Sequence, residues 1–312
     1  MAVDPVAAIA VLGGERMAGR MGAVEARLRE ICAPSDDALG TVEAGGKRLR
    51  PLIVFVAGFD GPDDAPLVRG AVAVELVHSA TLVHDDVLDA APLRRGRPTV
   101  FSEGGRDAAT ATGDLLFSRA FAELAANGSV EQLRVLSAAS SSLARGELVQ
   151  REDAWCAEVS VERYLRRCEL KTASLFEAAC QLGALAAGSV ALVGFGRAIG
   201  VAFQILDDVL DVTGPPERTG KARGTDLLDG TVTLPLILAR ERDPVLAGLD
   251  LRAIEDAAGV CVRIVATGAV DVARERALAL VAAAKAELPE SIGAAQRRAL
   301  ELVADGVVDR YA

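Results

Sequence analysis

Two acidic motifs, each interrupting an apolar helical run, limit what this chain can become more than any other feature. The first lies in VELVHSATLVHDDVLDAAPLRRGRPT (Val74 to Thr99) and the second in FQILDDVLDVT (203–213). Asp85 and Asp89, like Asp207 and Asp211, are four residues apart and so share one face of a helix. Carboxylates stacked in this way repel each other unless a cation lies between them. Hard divalent cations take oxygen ligands, and magnesium is usually held by one or two carboxylates plus substrate phosphates. Arg94, Arg95 and Arg97 follow closely and suit such phosphates through charge-assisted hydrogen bonds. The two copies begin 122 residues apart (207 minus 85), too far to be low-complexity sequence. Two such helices facing each other form a cage of carboxylates around metal.

The rest of the composition agrees with a helical protein. Hydrophobic residues make up 51% of the 312 and aromatics only 4%, with Ala, Leu and Val dominant. That favours packed helices over strands, and no alternation lasts long enough to mark a sheet. No linker rich in proline or serine divides the chain, so residues 1–312 read as a single all-α domain. A net charge of −10 argues against nucleic acid as the main partner. The five cysteines are scattered without CxxC spacing and read as reduced core residues of a cytoplasmic protein. The start of the chain does not look like a signal peptide. The longest apolar run, Ser189 to Leu206, carries Arg197 and leads into Asp207, which marks a buried core helix rather than a membrane span.

Taken in order, the chain predicts a first amphipathic helix from about Glu15 to Ile31. AGGKRLRP (44–51) then forms a glycine turn whose Lys47, Arg48 and Arg50 enter a helix N-terminus. That is either an anion site or a solvated basic turn. A helix from about Pro66 to Ala90 carries the first acidic motif. His78 lies two turns before Asp85 on the same face and reads as a polar cavity residue, whereas His84 reads as structural. Further helices run from about Asp107 to Asn127, from Val130 to Asp153, and from an N-cap at Ser160 to about Ala187. Glu147 is a solvated residue or a supporting acceptor, and Lys171 is a snorkelling lysine or a phosphate ligand. After the second acidic motif, ERTGKARGTDLLDG (217–230) reads as a surface loop or as a lid whose Lys221 closes over phosphates. The last third is helical and carries no chemical motif.

As a set, GGKRLRP, VHDDVLD with LRRGRPT, GDLLFSRAF, GELVQ, KTASLF, FQILDDVLD and GKARGTDL with TLP resemble the trans-isoprenyl (polyprenyl) diphosphate synthases. The resemblance covers roughly residues 44–240. It implies an all-helical bundle of the isoprenoid synthase type with a central active-site cavity, usually a homodimer. It also implies an enzyme that joins isopentenyl diphosphate to an allylic prenyl diphosphate. Carried over by position, it puts a magnesium cluster, bound with the allylic diphosphate, on Asp85, Asp89 and Asp207, with Asp211 nearby. Lys47, Arg50, His78 and Arg95 then hold isopentenyl diphosphate. Arg94, Lys171, Thr172, Gln204 and Lys221 face the allylic substrate, and Asp85, Asp89, Asp207 and Lys171 form the catalytic set. Val74, Val77, Ala80 and Thr81 precede Asp85 by one to three turns and are not aromatic, which implies a geranylgeranyl or longer product. Thr231 stands where the family commonly has lysine before TLP, which bears on substrate range. A class I terpene cyclase needs no second diphosphate site, and a non-catalytic regulatory subunit need not keep both acidic motifs. Both therefore fit these residues less well.

Overall fold

The computed structural model describes residues 5–214 and 223–309, with side chains described for 13–214 and 223–308. It groups them into two units. The first takes the chain up to Ser140 together with Leu175–Gly196 and Leu288–Gly306. The second takes Ser141–Ser174, Arg197–Glu287 and the residues from Val307.

The first unit is built around one long buried helix. Helix α1 (Pro5–Cys32), α2 (Asp36–Glu43) and α3 (Leu49–Ala57) lead to α4 (Asp64–Leu88), which packs on α1, α3 and α5 (Val100–Ala125). α4 begins before Pro66 because the Asp63 carboxylate caps the Ala65 N–H at 3.0 Å. By length and composition α4 is long and apolar enough to cross a membrane, and 67% of its most apolar window is buried inside the fold. α1 and α5 both start earlier than their apolar periodicity predicts, and each is broken at a glycine with positive φ, Gly14 or Gly105. Between α4 and α5 lies the one departure from all-helical expectation among the described residues. Leu93–Arg94 (β1) pairs with Arg97–Pro98 (β2) in a two-residue-wide hairpin.

Close helix contact in this unit depends on glycine. α8 (Ser174–Ala187) meets the end of α3 at Gly183, where an added Cβ would lie 2.2 Å from the Val54 carbonyl oxygen and 2.9 Å from the Ala57 Cβ. Gly183→Ala is therefore expected to destabilise the protein by about 1–3 kcal/mol, because backbone cannot move aside as a side chain can. A urea melt that matches wild type would contradict this close approach.

The second unit receives the end of α6 (Val130–Asp153), then α7 (Val161–Cys168), whose N-cap is Ser160 as its sequence predicts. A five-residue π turn, Glu169–Ala173, joins α7 to α8, so the helix expected through Ala187 changes its winding at Lys171. Helix α9 (Val193–Thr213) carries the second acidic motif. Phe195, Ile199, Ala202, Ile205 and Leu206 on it are buried, in keeping with a core helix. After the undescribed segment come α10 (Thr225–Leu228), α11 (Leu234–Arg240), α12 (Pro244–Ala247), α13 (Ala257–Ala266) and α14 (Ala269–Ala286), with α11 packed on α14 and α7. Most of α15 (Ala294–Asp309) belongs to the first unit, within which its Gln296 donates to the Val56 and Ala57 carbonyls.

Candidate active site

The glycine turn before α3 sets the first half of the site. Gly45 and Gly46 have φ of +83° and +157°, and Arg48 follows at +47°. Left-handed backbone is costly for a residue other than glycine, and Arg48 is held there by three elements. Its guanidinium donates to Glu25 at 2.7 Å, to buried Glu75 on α4 at 2.8 Å, and to the Val42 carbonyl at 2.7 Å. Arg48 is thus a buried tie, while Lys47 beside it is exposed. Two residues on, the Arg50 guanidinium lies 4.8 Å from the ring centroid of Phe176, a stacking that fixes a cation without neutralising it.

The arginine hairpin meets this turn. Arg95 and Gly96, at φ +53° and +75°, form its tight loop, and two consecutive positive φ values suit a right-handed hairpin twist. The Arg95 side chain lies over Gly46, where an added Cβ would come within 3.1 Å of Nη1. His78 on α4 belongs to the same cluster. Burial, and then the charges of Arg50, Arg95, Arg94 and Arg48, keep its imidazole well below the usual pKa. Several cations thus bear on this position, an environment that favours an anion. Four of the residues expected around one diphosphate therefore lie on elements of this unit, with Arg50, His78 and Arg95 electrostatically coupled.

The acidic face of α4 lies just beyond. Asp85 is half-buried and Asp89 exposed. Asp89 closes the helix, and its N–H donates to the Asp85 carbonyl at 2.8 Å, so one helical turn stacks the two side chains. Asp86 between them points inward and is 5% exposed. Its Oδ1 accepts from Arg94 Nε at 2.8 Å and lies 2.7 Å from Arg94 Nη2. Arg94, expected on a substrate phosphate, thus rests on Asp86. His84 stacks on Phe117 at 5.8 Å and reaches Asp114 at 3.4 Å, in keeping with a structural role.

The second unit carries the other set. Asp207 on α9 is exposed. Both carboxylate oxygens of Asp211 accept backbone N–H groups at the start of α10, from Thr225 at 3.1 Å and Asp226 at 3.2 Å. Asp208 is buried and accepts from Tyr164 Oη at 2.6 Å and Gln204 Nε2 at 2.8 Å. Burial pushes its carboxyl up to about 7 against the pull of those two donors. Thr172 Oγ1 in turn donates to Gln204 Oε1 at 2.6 Å. Lys171 Nζ pairs with Glu147 at 2.5 Å, and Glu147 also accepts from Arg151. Although burial opposes it, the charge of Lys171 keeps the Glu147 carboxyl below its ordinary value. α6 approaches this turn closely because residue 146 is glycine, whose Cβ would lie 2.5 Å from the Lys171 amide nitrogen. Lys221 lies outside the described residues, and Thr231 donates its N–H to the Asp226 carbonyl at 2.8 Å.

Among the described residues no three His, Cys, Asp or Glu side chains make a ready metal cage. The pair Asp85 and Asp89, with only hard oxygen donors, nevertheless fits an ion that completes its shell with substrate phosphates. Three positions that were assigned no role from the sequence matter to this geometry: Glu75 and Phe176, which lie inside quoted motifs, and Tyr164. Each is an ordinary residue on a helix, and only the packing reveals its partner.

The polyprenyl synthetase family model matches residues 36–255. The chain belongs to the polyprenyl synthetase family. It is 35% identical over 282 residues to the geranylgeranyl diphosphate synthase of Methanosarcina mazei, covering 86% of this chain and 87% of that one. It is 41% identical over 224 residues to the octaprenyl diphosphate synthase of Haemophilus influenzae, covering 69% and 67%. The crystal structure of a polyprenyl synthase from Caulobacter crescentus, complexed with calcium and isoprenyl diphosphate, superposes with a TM-score of 0.89 at 33% identity over 98% of both chains. The synthase is thus an all-α prenyltransferase of the trans type, as its motifs imply.

Proposed function

We propose that the synthase extends an allylic prenyl diphosphate with isopentenyl diphosphate, releasing diphosphate and making geranylgeranyl diphosphate or a longer chain. It does so as a magnesium-dependent cytoplasmic homodimer in which residues 1–312 act as one catalytic domain. The observation that supports this reading is the set of cations around the glycine turn, where Arg95 lies over Gly46 and the charges of Arg50 and Arg95 bear on His78 of α4. With Lys47 they hold the diphosphate of isopentenyl diphosphate, a second diphosphate site that a cyclase has no use for. Lys171, Thr172, Gln204, Arg94 and Lys221 serve the allylic diphosphate. The family match runs through both units, in support of a single working domain.

Asp85, Asp89 and Asp207 would hold magnesium, with Asp211 assisting through water since both its oxygens already accept N–H groups. Bound there, the metal supplies Lewis-acid neutralisation of the leaving diphosphate. The protein's cations add fixed charge where the negative charge grows, with no reorganisation at the moment of reaction. Apolar helices exclude water from the allylic cation until the alkene of the second substrate reaches it. The departing diphosphate is the base for the final proton, since His78 is tied into the cation cluster on the other substrate.

The test is chromatography of products made by the purified chain from isopentenyl diphosphate and allylic primers of increasing length. Products of twenty carbons or more are expected. Hydrocarbon formed without isopentenyl diphosphate would mark a cyclase, and activity only on adding a second protein would mark a subunit of a two-component enzyme.

The two substrates should also separate by mutation. Arg95→Ala is expected to raise KM for isopentenyl diphosphate about tenfold to a hundredfold and to spare the allylic partner. Lys171→Ala should do the reverse. That range corresponds to one lost charge-assisted hydrogen bond of about 1.5–3 kcal/mol. Equal effects on both substrates would refute the division.

A further inference from the structure

The two acidic motifs are built alike in a way that metal binding does not use. In each, the outer aspartates reach the surface while the second turns into the protein, Asp86 at 5% exposure and Asp208 at 3%. Neighbouring residues on a helix point about 100° apart, so a motif whose first and last members face a ligand sends its second elsewhere. A buried carboxylate persists only where its lone pairs are matched. Both are matched by groups that belong to, or lead directly to, the diphosphate-binding elements proposed above.

Asp86 holds Arg94. Arg94 is the strand residue next to Arg95, and the hairpin has only two paired positions, Leu93 with Pro98 and Arg94 with Arg97. So short a hairpin is not stable alone, and its loop forces left-handed backbone on Arg95. Thr99 closes its base by donating Oγ1 to the Ala91 carbonyl at 2.6 Å. Asp86 is the anchor on the side nearer the loop. Through Arg94 it ties the strand that leads into Arg95 to α4.

Asp208 plays the corresponding part in the second unit. Tyr164 on α7 and Gln204 on α9 both donate to it, and Gln204 then accepts from Thr172 inside the π turn. The chain Tyr164–Asp208–Gln204–Thr172 orients the Gln204 amide, so that its oxygen faces Thr172. It also ties the irregular turn that carries Lys171 to the helix that carries Asp207.

We propose that the second aspartate of each motif is a positioning residue. Asp86 aims Arg95 at isopentenyl diphosphate, and Asp208, with Tyr164, sets the Gln204–Thr172 pair and the π turn that present Lys171 to the allylic diphosphate. The inference rests on the division of substrates proposed above and changes one part of it, making Arg94 an anchor for the hairpin and not a phosphate ligand.

The test is steady-state kinetics on the full chain, varying each substrate and magnesium in turn. Asp86→Asn is expected to raise KM for isopentenyl diphosphate about tenfold, with kcat within about threefold and allylic KM and half-saturating magnesium unmoved. Tyr164→Phe, which deletes one hydroxyl and keeps the ring, is expected to raise allylic KM by a similar factor and spare isopentenyl diphosphate. Should Asp86→Asn fail to fold, Arg94→Lys shortens the same clamp and must reproduce its pattern. The proposal is overturned if the variants raise both KM values alike, if all constants stay within about twofold of wild type, or if Asp86→Asn raises only allylic KM. It is also overturned if half-saturating magnesium rises as it does in Asp85→Asn, run alongside. An Asp85→Asn enzyme with normal magnesium response instead counts against the metal ligands proposed above, and the crossed KM pattern still decides the positioning role.

Discussion

Asp85→Ala or Asp207→Ala is expected to lower turnover by about a thousandfold or more while leaving the thermal melt of the protein close to wild type. Neither side chain is packed into the core: Asp85 is half-buried and Asp207 exposed. On the mechanism proposed above each would contribute charge directed at the metal, and such Lewis-acid stabilisation amounts to several kcal/mol of the barrier. Each 1.4 kcal/mol is about a tenfold change in rate, so losing a ligand removes several powers of ten. The neighbouring aspartates should behave in the opposite way. Removing Asp86 breaks its ion pair with the half-buried Arg94, and removing Asp208 leaves the buried Tyr164 hydroxyl without its acceptor, the latter at a cost of about 1–3 kcal/mol. A thermal melt set beside a single-turnover rate separates the two classes. Near-normal turnover of Asp85→Ala at saturating magnesium would remove that residue from the metal site.

The second large effect concerns product length. The growing isoprenoid is expected to run from the carboxylates back along α4 past Thr81, Ala80, Val77 and Val74, the last of these roughly 16 Å of helix before Asp85 at about 1.5 Å per residue. The structure divides these four. Val74, Val77 and Ala80 are fully buried among packed side chains, whereas Thr81, one turn before Asp85, is half-buried. Its hydroxyl donates to the His78 carbonyl at 2.8 Å, which turns it toward the face that His78 and Asp85 share. Thr81→Phe should therefore shorten the product by one or more isoprene units with little loss of total condensation. Ala80→Phe should shorten it too, but with a lower melting temperature, because the ring must displace packed neighbours at about 1–3 kcal/mol. Product chromatography and melts of both variants check this. An unchanged product distribution in Thr81→Phe would show that the tail runs along another helix.

Much of the fold was legible in the linear chain because its signals are local. Ser160 caps its helix and α6 runs from Val130 to Asp153, both as expected. The breaks at Gly14 and Gly105 were not legible. The helices were expected to start at about Glu15 and Asp107, just after these glycines, so what stayed hidden is the helical stretch before each one, because a glycine is compatible with either conformation. The hairpin at 93–98 was missed for a related reason. Two-residue strands are too short to show alternation, and only the positive φ at Arg95 and Gly96 makes the turn.

The candidate site divides along the same line. Spacing alone put Asp85 with Asp89 and Asp207 with Asp211, because a helix repeats every 3.6 residues whatever surrounds it. The order of the basic and acidic motifs was enough to indicate the family. Which charged residues face a ligand and which tie the protein together was decided only by tertiary packing. Arg48 and Lys47, Asp86 and Asp85, Arg94 and Arg95, and Ala80 and Thr81 are neighbours of similar chemical kind that the fold sends to different surroundings. Arg48 is buried against Glu25 and Glu75, Asp86 is buried against Arg94 of the hairpin, and Ala80 lies in the packed core, and no local pattern encodes these surroundings.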